Sequence, residues 1–382
     1  MGERDLVMIP GPTNVDPKVL RSMARPTLSH TSGAFATIFK ETLADLGRIF
    51  KTNGLVLPLA GTGTLGAEVA FSNVIEPGDK VLVISGGYFG DRLADIAANL
   101  GGKVDKFEVP WGATPKIDDV EKMLSLTKYK LMAAVHVDTS TGVANPAKEL
   151  GALARAKDVL FLLDTVCSMG GMDVQVDEWG VNVCFTGSQK ALAVPPGMTI
   201  VSFDTKAQKA REQRKSPPAS YYGDLKRWLP ILSDPTKYFA TPPVNMMYAL
   251  REGCRMVLEE GLEERFSRHA TMASAFRAGL RAIGLRLLCD DAVASNTLTV
   301  AYYPSGVRDA EFRKSMQEAF GVVVAGELGP LKDKAFRVGH MGNVNRSDIL
   351  STLGAIEGSL SKEGYKFQLR AGPSAANTVL TR

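Results

Sequence analysis

The chain has 382 residues, 45% hydrophobic and 23% charged, with a formal net charge of +4. That length suits two domains, and the dispersed basic residues favour neither a nucleic-acid nor a membrane surface. No apolar run approaches the roughly 18 residues of a membrane span, residues 1–5 are polar where a signal segment would be apolar, and Cys167, Cys184, Cys254 and Cys289 show no metal-ligand spacing. A cytoplasmic protein with reduced cysteines is expected.

An apolar stretch at residues 6–9 runs into Pro10-Gly11-Pro12-Thr13-Asn14, read as an extended arm and a turn because both prolines restrict the backbone. Asp16-Pro17 opens a short helix, with the acid as cap and proline at the first position. A helical pattern spans 33–52, and residues 55–59 read as a brief strand. The chain then alternates: helix 64–75, strand 80–85, helix 90–101, strand 104–109, helix 117–127, strand 129–137, helix 146–157 and strand 159–163. Further strands are expected at 181–185 and 198–203. Strands separated by helices predict right-handed crossovers and a mostly parallel α/β sheet, and their continuous apolar runs place it under helices on both faces.

Residues 205–243 contain Pro217-Pro218, Pro230, Pro235 and Pro242-Pro243 and read as surface or subunit-facing loops, apart from a solvated helix near 206–215. A long helical stretch over 244–281 is expected to bend or break around Glu260-Gly261. Strands at 284–288, 297–303, 321–325 and 335–339 then combine with helices at 309–319 and 346–361. The expected division is an N-terminal arm (1–18), a large domain (19–264) and a smaller α+β domain (265–382) with a weakly patterned tail from residue 368.

Gly61-Thr62-Gly63-Thr64-Leu65-Gly66 matches the glycine fingerprint of dinucleotide sites, follows a strand and opens a helix. That fold needs an acid at the end of the next strand to hold the ribose. Here the next strand ends Ile84-Ser85-Gly86-Gly87, which weakens the reading of a dinucleotide-dependent oxidoreductase. What survives is a phosphate cradle of two threonine hydroxyls and free backbone N–H groups at a helix start, with an ordinary tight turn as the plain alternative.

Asp164 ends the apolar strand Leu162-Leu163-Asp164, at the sheet edge where open parallel sheets bind ligands. It is a candidate metal ligand, cap or partner for a cationic ring nitrogen; no His or acid close in sequence completes a metal set. His136 is read as structural, and the hydroxyl-rich Asp138-Thr139-Ser140-Thr141-Gly142 as a partner for a ring oxygen or a substrate. Lys190, in Thr186-Gly187-Ser188-Gln189-Lys190, follows the apolar run at 181–185. An unpaired ammonium is costly to bury, and an imine with an aldehyde cofactor removes the charge. A phosphate cradle, a strand-end aspartate and a strand-end lysine are together the requirements of pyridoxal 5'-phosphate.

The order and wording of eight segments resemble the class V aminotransferases of pyridoxal-phosphate fold type I, and more narrowly the alanine–glyoxylate and serine–pyruvate aminotransferases. They are Pro10-Gly11-Pro12-Thr13-Asn14, Gly61-Thr62-Gly63-Thr64, Gly87-Tyr88-Phe89-Gly90-Asp91-Arg92, His136-Val137-Asp138-Thr139-Ser140-Thr141-Gly142, Asp164-Thr165-Val166-Cys167-Ser168, Gly187-Ser188-Gln189-Lys190, Tyr238-Phe239-Ala240-Thr241-Pro242-Pro243 and Phe336-Arg337-Val338-Gly339. Coverage runs from about residue 6 to 360.

The resemblance implies a seven-stranded sheet in the large domain, Lys190 as Schiff-base lysine and proton shuttle, and Asp164 on the pyridine nitrogen. It implies that Thr62, Gly63, Thr64 and Gln189 hold the phosphate, that Thr139 meets the ring near its phenolic oxygen, and that Tyr238 and Thr241 reach a neighbouring subunit's phosphate in a homodimer. Arg337 would clamp the substrate carboxylate in two-pronged fashion, with Gly11 on the substrate side. Phe89 stands where the family often has a ring-stacking tryptophan, and Thr64 where some relatives have histidine.

The implied reaction is a ping-pong exchange between a small amino acid (alanine or serine) and glyoxylate or pyruvate. The absence of a second motif-placed arginine favours neutral substrates, with Arg25 an unplaced exception. Alternatives inside the fold are ureidoglycine–glyoxylate, aminoethylphosphonate and phosphoserine transaminases. Cysteine desulfurase chemistry lacks its mobile-loop cysteine here, and a non-catalytic dimeric scaffold is the remaining alternative.

Overall fold

A computed structural model describes residues 5–381. The polar start at residues 1–4 and the final Arg382 lie outside the described residues, so the expectation about a signal segment and the first part of the arm fall there. The principal sheet has seven strands: β2 (Leu55–Gly61), β3 (Lys80–Ser85), β4 (Lys103–Glu108), β5 (Leu131–Val135), β6 (Leu160–Asp164), β7 (Val183–Gly187) and β8 (Gly197–Phe203). Their order is β2-β8-β7-β6-β5-β3-β4; β8 runs antiparallel to both its neighbours, and every other pair is parallel. β5, β6 and β7 are buried at every position, as the apolar runs predict for a sheet covered on both faces.

Crossover helices α3 (Gly63–Val74), α4 (Tyr88–Asn99), α5 (Ile117–Leu126) and α6 (Ala147–Ala156) link these strands, while α1 (Pro17–Met23) and α2 (Gly33–Phe50) precede them. Asp16 caps α1 by accepting from Lys18 N, with Pro17 at its first position. The chain passes outward from β3 to β4 and returns to β5 on the other side of β3. That reversal opens a crevice at the carboxyl ends of β3 and β5, bounded by the start of α4 and the loop after Val135.

Residues 205–243 hold more order than their prolines suggest. α7 (Thr205–Glu212) and α8 (Leu225–Ser233) begin at the capping side chains of Asp204 and Asp224, and α8 buries Leu225, Trp228 and Ile231 along one face despite Pro230. Arg211 of α7 is not part of a solvated face; it is buried against Asp224 at 2.7 Å. The long helical stretch breaks at Gly261, whose φ of 88° suits glycine, into α9 (Val244–Glu260) and α10 (Leu262–Ala282).

A second core gathers Met272, Phe276, Leu280, Phe312, Phe336, Ile349 and Leu353 with Met8 of the arm. It lies between α10, α11 (Asp309–Phe320), α12 (Arg346–Lys362) and the antiparallel sheet β11-β12-β9, formed by Ala325–Gly326, Ala335–Gly339 and Leu298–Tyr302. The strand expected at 284–288 does not form; only an isolated bridge joins Leu287 to Ala301. The run expected at 321–325 splits because its halves pair elsewhere: β10 (Val322–Val323) lies parallel to β1 (Leu6–Val7) of the arm, and β11 pairs with β12. The tail forms α13 (Ala371–Leu380), capped by Glu357 of α12, which accepts from Arg370 N at 2.7 Å and Gly372 N at 2.8 Å.

Candidate active site

Lys190 lies in the turn after β7, and the turn is held from four directions. Ser188 N donates to Met198 O and Ser188 Oγ to Pro195 O; Thr13 Oγ1 donates to Lys190 O at 2.9 Å; Arg265 Nη2 donates to Ala191 O at 2.6 Å. The side chain is 8% exposed. Its Nζ donates to Pro10 O and lies 3.5 Å from Thr139 Oγ1, with no carboxylate in ion-pair contact among the described residues. Burial therefore pushes the amine below its ordinary range, assisted by the Arg337 charge and opposed by Cys167, Asp164 and Asp138. Gly11 (φ 127°) closes over the stem: a Cβ there would sit 2.7 Å from Lys190 Cδ.

Asp164 ends β6 with Oδ1 accepting from Val166 N at 2.8 Å. Burial is the main cause that raises its carboxyl to about 7 and Asp138 adds to it, while the Val166 N–H, Lys190 and Arg92 oppose. Such a carboxylate is stabilised by a protonated heterocyclic nitrogen. Thr62 caps α3 but spends no side-chain hydrogen bond on it, and Thr62, Gly63 and Thr64 line one cavity, so a helix start with unspent donors borders that cavity.

Phe89 is set by Asp138, whose Oδ2 accepts from Phe89 N and Gly90 N at 3.1 Å, while Ser140 Oγ accepts from Tyr88 N. The strand-end acid of the 138–142 loop thus caps α4, and Thr139 beside it turns toward Lys190. His136 is structural: its Nδ1 contacts Ser168 Oγ, Trp179 packs edge-on, and burial lowers it to about 4.

One cavity of about 240 Å³ brings together Gly11, Thr62, Gly63, Thr64, Phe89, Thr139, Asp164, Gln189 and Lys190. Further walls carry no role in the sequence analysis, among them the apolar Leu93, Val135, Val137 and Phe185. Val166 and Ala67 line the cavity too, as does Arg92, whose guanidinium stacks 4.7 Å from the Phe89 ring centre and reaches Thr64 Oγ1 at 3.4 Å. Arg92 stands one turn beyond Phe89 on α4, a periodicity that would have flagged it.

Arg337 is not a cavity wall. It lies behind Thr139, donating through Nη1 to Thr139 O and through Nε and Nη2 to Gly326 O, with Glu327 at 3.4 Å. Tyr238 and Thr241 are exposed and outside this cavity, Tyr238 packing beside His30. Among the described residues no cluster of three or more His, Cys, Asp or Glu side chains could hold a metal, and no helix is long and apolar enough to cross a membrane.

The cavity fits pyridoxal phosphate on the chain's own terms. An amine whose charge burial disfavours and a raised carboxyl line one cavity, a helix start has unspent donors, and the buried Gln189 Oε1 has no partner among the described residues. The family model for class V aminotransferases matches residues 15–329. The chain belongs to the class V aminotransferases.

The aminotransferase is 37% identical to an uncharacterized aminotransferase of Methanocaldococcus jannaschii, over 99% of this chain and 98% of that one. It is 34% identical to an alanine–glyoxylate aminotransferase of Callithrix jacchus over 90% of this chain and 84% of the relative. The crystal structure of the ureidoglycine–glyoxylate aminotransferase of Bacillus subtilis superposes with a TM-score of 0.97, at 35% identity, over 100% of this chain and 99% of that one. This aminotransferase is an enzyme with pyridoxal phosphate as its cofactor and fold type I as its architecture. The dinucleotide and scaffold alternatives fall away.

Proposed function

We propose that the enzyme moves an amino group from a small neutral amino acid, alanine or serine, to glyoxylate or pyruvate by a ping-pong cycle. The observation that carries this reading is Lys190: a buried amine without a carboxylate partner among the described residues, in one cavity with Asp164 and the α3 N-terminus. Bound pyridoxal phosphate supplies the electron sink for the carbanion left when the substrate Cα loses its proton. Lys190 Nζ would hold the cofactor at rest by a covalent bond and, once the substrate's amino group has displaced it from that bond, would be the free amine that takes the Cα proton and returns it on the cofactor side. Asp164 keeps the ring nitrogen protonated. Thr62, Gly63, Thr64 and Gln189 hold the phosphate, Phe89 covers one ring face and Thr139 meets the phenolic oxygen. Arg337, with two of its five N–H groups unspent, orients the substrate carboxylate from behind Thr139, and Gly11 shapes the substrate side.

The exposure of Tyr238 and Thr241 supports a homodimer in which these residues complete the partner's phosphate site. Four free cysteines, three of them buried, support a cytoplasmic location. The division at 19–264 and 265–382 is supported by two cores, one drawn from residues 19–257 and the other from residues after Gly261 together with Met8 of the arm. The likeness to the Bacillus subtilis structure favours ureidoglycine as the alternative donor.

Donor choice is tested by mixing the cofactor-loaded enzyme with alanine, serine, aspartate or ureidoglycine and following the visible absorbance. Alanine or serine should bleach the band fastest, and glyoxylate should restore it. Faster bleaching by ureidoglycine selects the alternative donor, and no bleaching by any of them contradicts the transaminase cycle.

A further inference from the structure

Glu327 follows β11 directly, and its side chain is wholly buried. Oε1 accepts from Leu328 N at 2.8 Å and lies 3.4 Å from Arg337 Nε; Oε2 is buried with no hydrogen-bond partner among the described residues. Arg337 does not depend on this acid for its aim. Gly326 O receives both Nε and Nη2, and Thr139 O receives Nη1, so backbone carbonyls set the guanidinium plane. What Glu327 adds, when ionised, is a negative charge beside the guanidinium, placed where burying a carboxylate is costly and only half satisfied.

We infer that Glu327 is a specificity-determining residue that tempers the Arg337 clamp, weakening its grip on every carboxylate so that products leave and disfavouring donors with a second carboxylate. The inference rests on the proposed role of Arg337 as that clamp. Each ping-pong cycle seats and releases a carboxylate twice on the same guanidinium, so an uncompensated Arg337 would slow both releases. A second carboxylate on the donor would add negative charge to a region that already holds the buried acids Glu327, Asp138 and Asp164. Burial raises Glu327 to about 7, with Arg337 opposing and Asp138 adding, so the charge is fully developed above neutrality.

The test is calorimetric titration of propanoate, a carboxylate without an amino group, into cofactor-loaded wild type, Glu327→Gln, Glu327→Met and Arg337→Gln enzymes well above neutral pH. Both Glu327 variants should bind propanoate roughly tenfold more tightly, as removal of a charge a few ångströms from the guanidinium implies. Their kcat for alanine and glyoxylate should fall together with KM, and the preference for propanoate over succinate should narrow. Structural damage weakens binding, so tightening cannot come from a disturbed fold; the Met variant covers the case in which the Gln variant does not fold. If Arg337→Gln loses propanoate while neither Glu327 variant tightens, the tempering role is overturned and the clamp stands. If Arg337→Gln binds propanoate as well as wild type, the clamp is overturned and the inference with it.

Discussion

Asp164 carries its cost in the ligand-free protein. Its carboxyl is raised from 3.8 to about 7, so the folded state favours the protonated form. Stability is therefore full below the unfolded value and is lost as pH rises from there to about 7, with a ceiling of about 4 kcal/mol. Asp164→Asn should make the cofactor-free protein more stable than wild type at pH 8 and abolish that slope, while slowing the loaded enzyme at least about tenfold. Denaturant titrations at several pH values check the first part, and a variant that is less stable at pH 8 contradicts it. Gly11→Ala should lower kcat about a hundredfold, because a methyl group would press on Lys190 Cδ and displace the amine. Single-turnover bleaching by alanine measures it. The positions legible in the sequence were those where a strand ends in an unusual residue: Asp164, Lys190 and the Thr62–Thr64 turn. Arg92 was legible only through its i+3 spacing from Phe89 on α4, while Glu327 was not legible, because an acid after a two-residue strand carries no local pattern and its role arises from packing across elements.

At the scale of elements, the alternating strands and crossover helices were legible because burial on both faces requires continuous apolar runs. Two of the misses share a cause: pairing or capping by distant chain. The stretch at 321–325 reads as one strand, yet Val322 pairs with Leu6 and Ala325 with Arg337. The tail reads as patternless because the cap of α13 is supplied by Glu357, not by a residue at its own start. Glu357→Ala should remove both hydrogen bonds and destabilise the protein by on the order of 2 kcal/mol. A fall in thermal midpoint with retained cofactor absorbance is the expected result; an unchanged midpoint means that α13 docks through Ala376 and Leu380 alone.

For the whole molecule, the proposed homodimer makes a prediction that no single chain can satisfy. Chains with Tyr238→Phe and Thr241→Ala are inactive in that reading, as are Lys190→Ala chains. Refolded together, they should form hybrid dimers with one intact site and recover about a quarter of wild-type activity. No recovery, with dimers present, would mean that Tyr238 and Thr241 serve only their own chain or neither site. The arm already joins the two cores within one chain, through Leu6 against Val322 and Thr13 against Lys190. Substrate closure that moves the second core would therefore be felt at the lysine turn.

Everything converges on Lys190, so the most direct measurement is borohydride reduction of the cofactor-loaded enzyme followed by peptide mass mapping. A reduced pyridoxal phosphate adduct on the peptide containing Lys190, with loss of alanine–glyoxylate activity, is the predicted result. An adduct confined to another lysine, or full activity in a Lys190→Ala enzyme, would contradict the account.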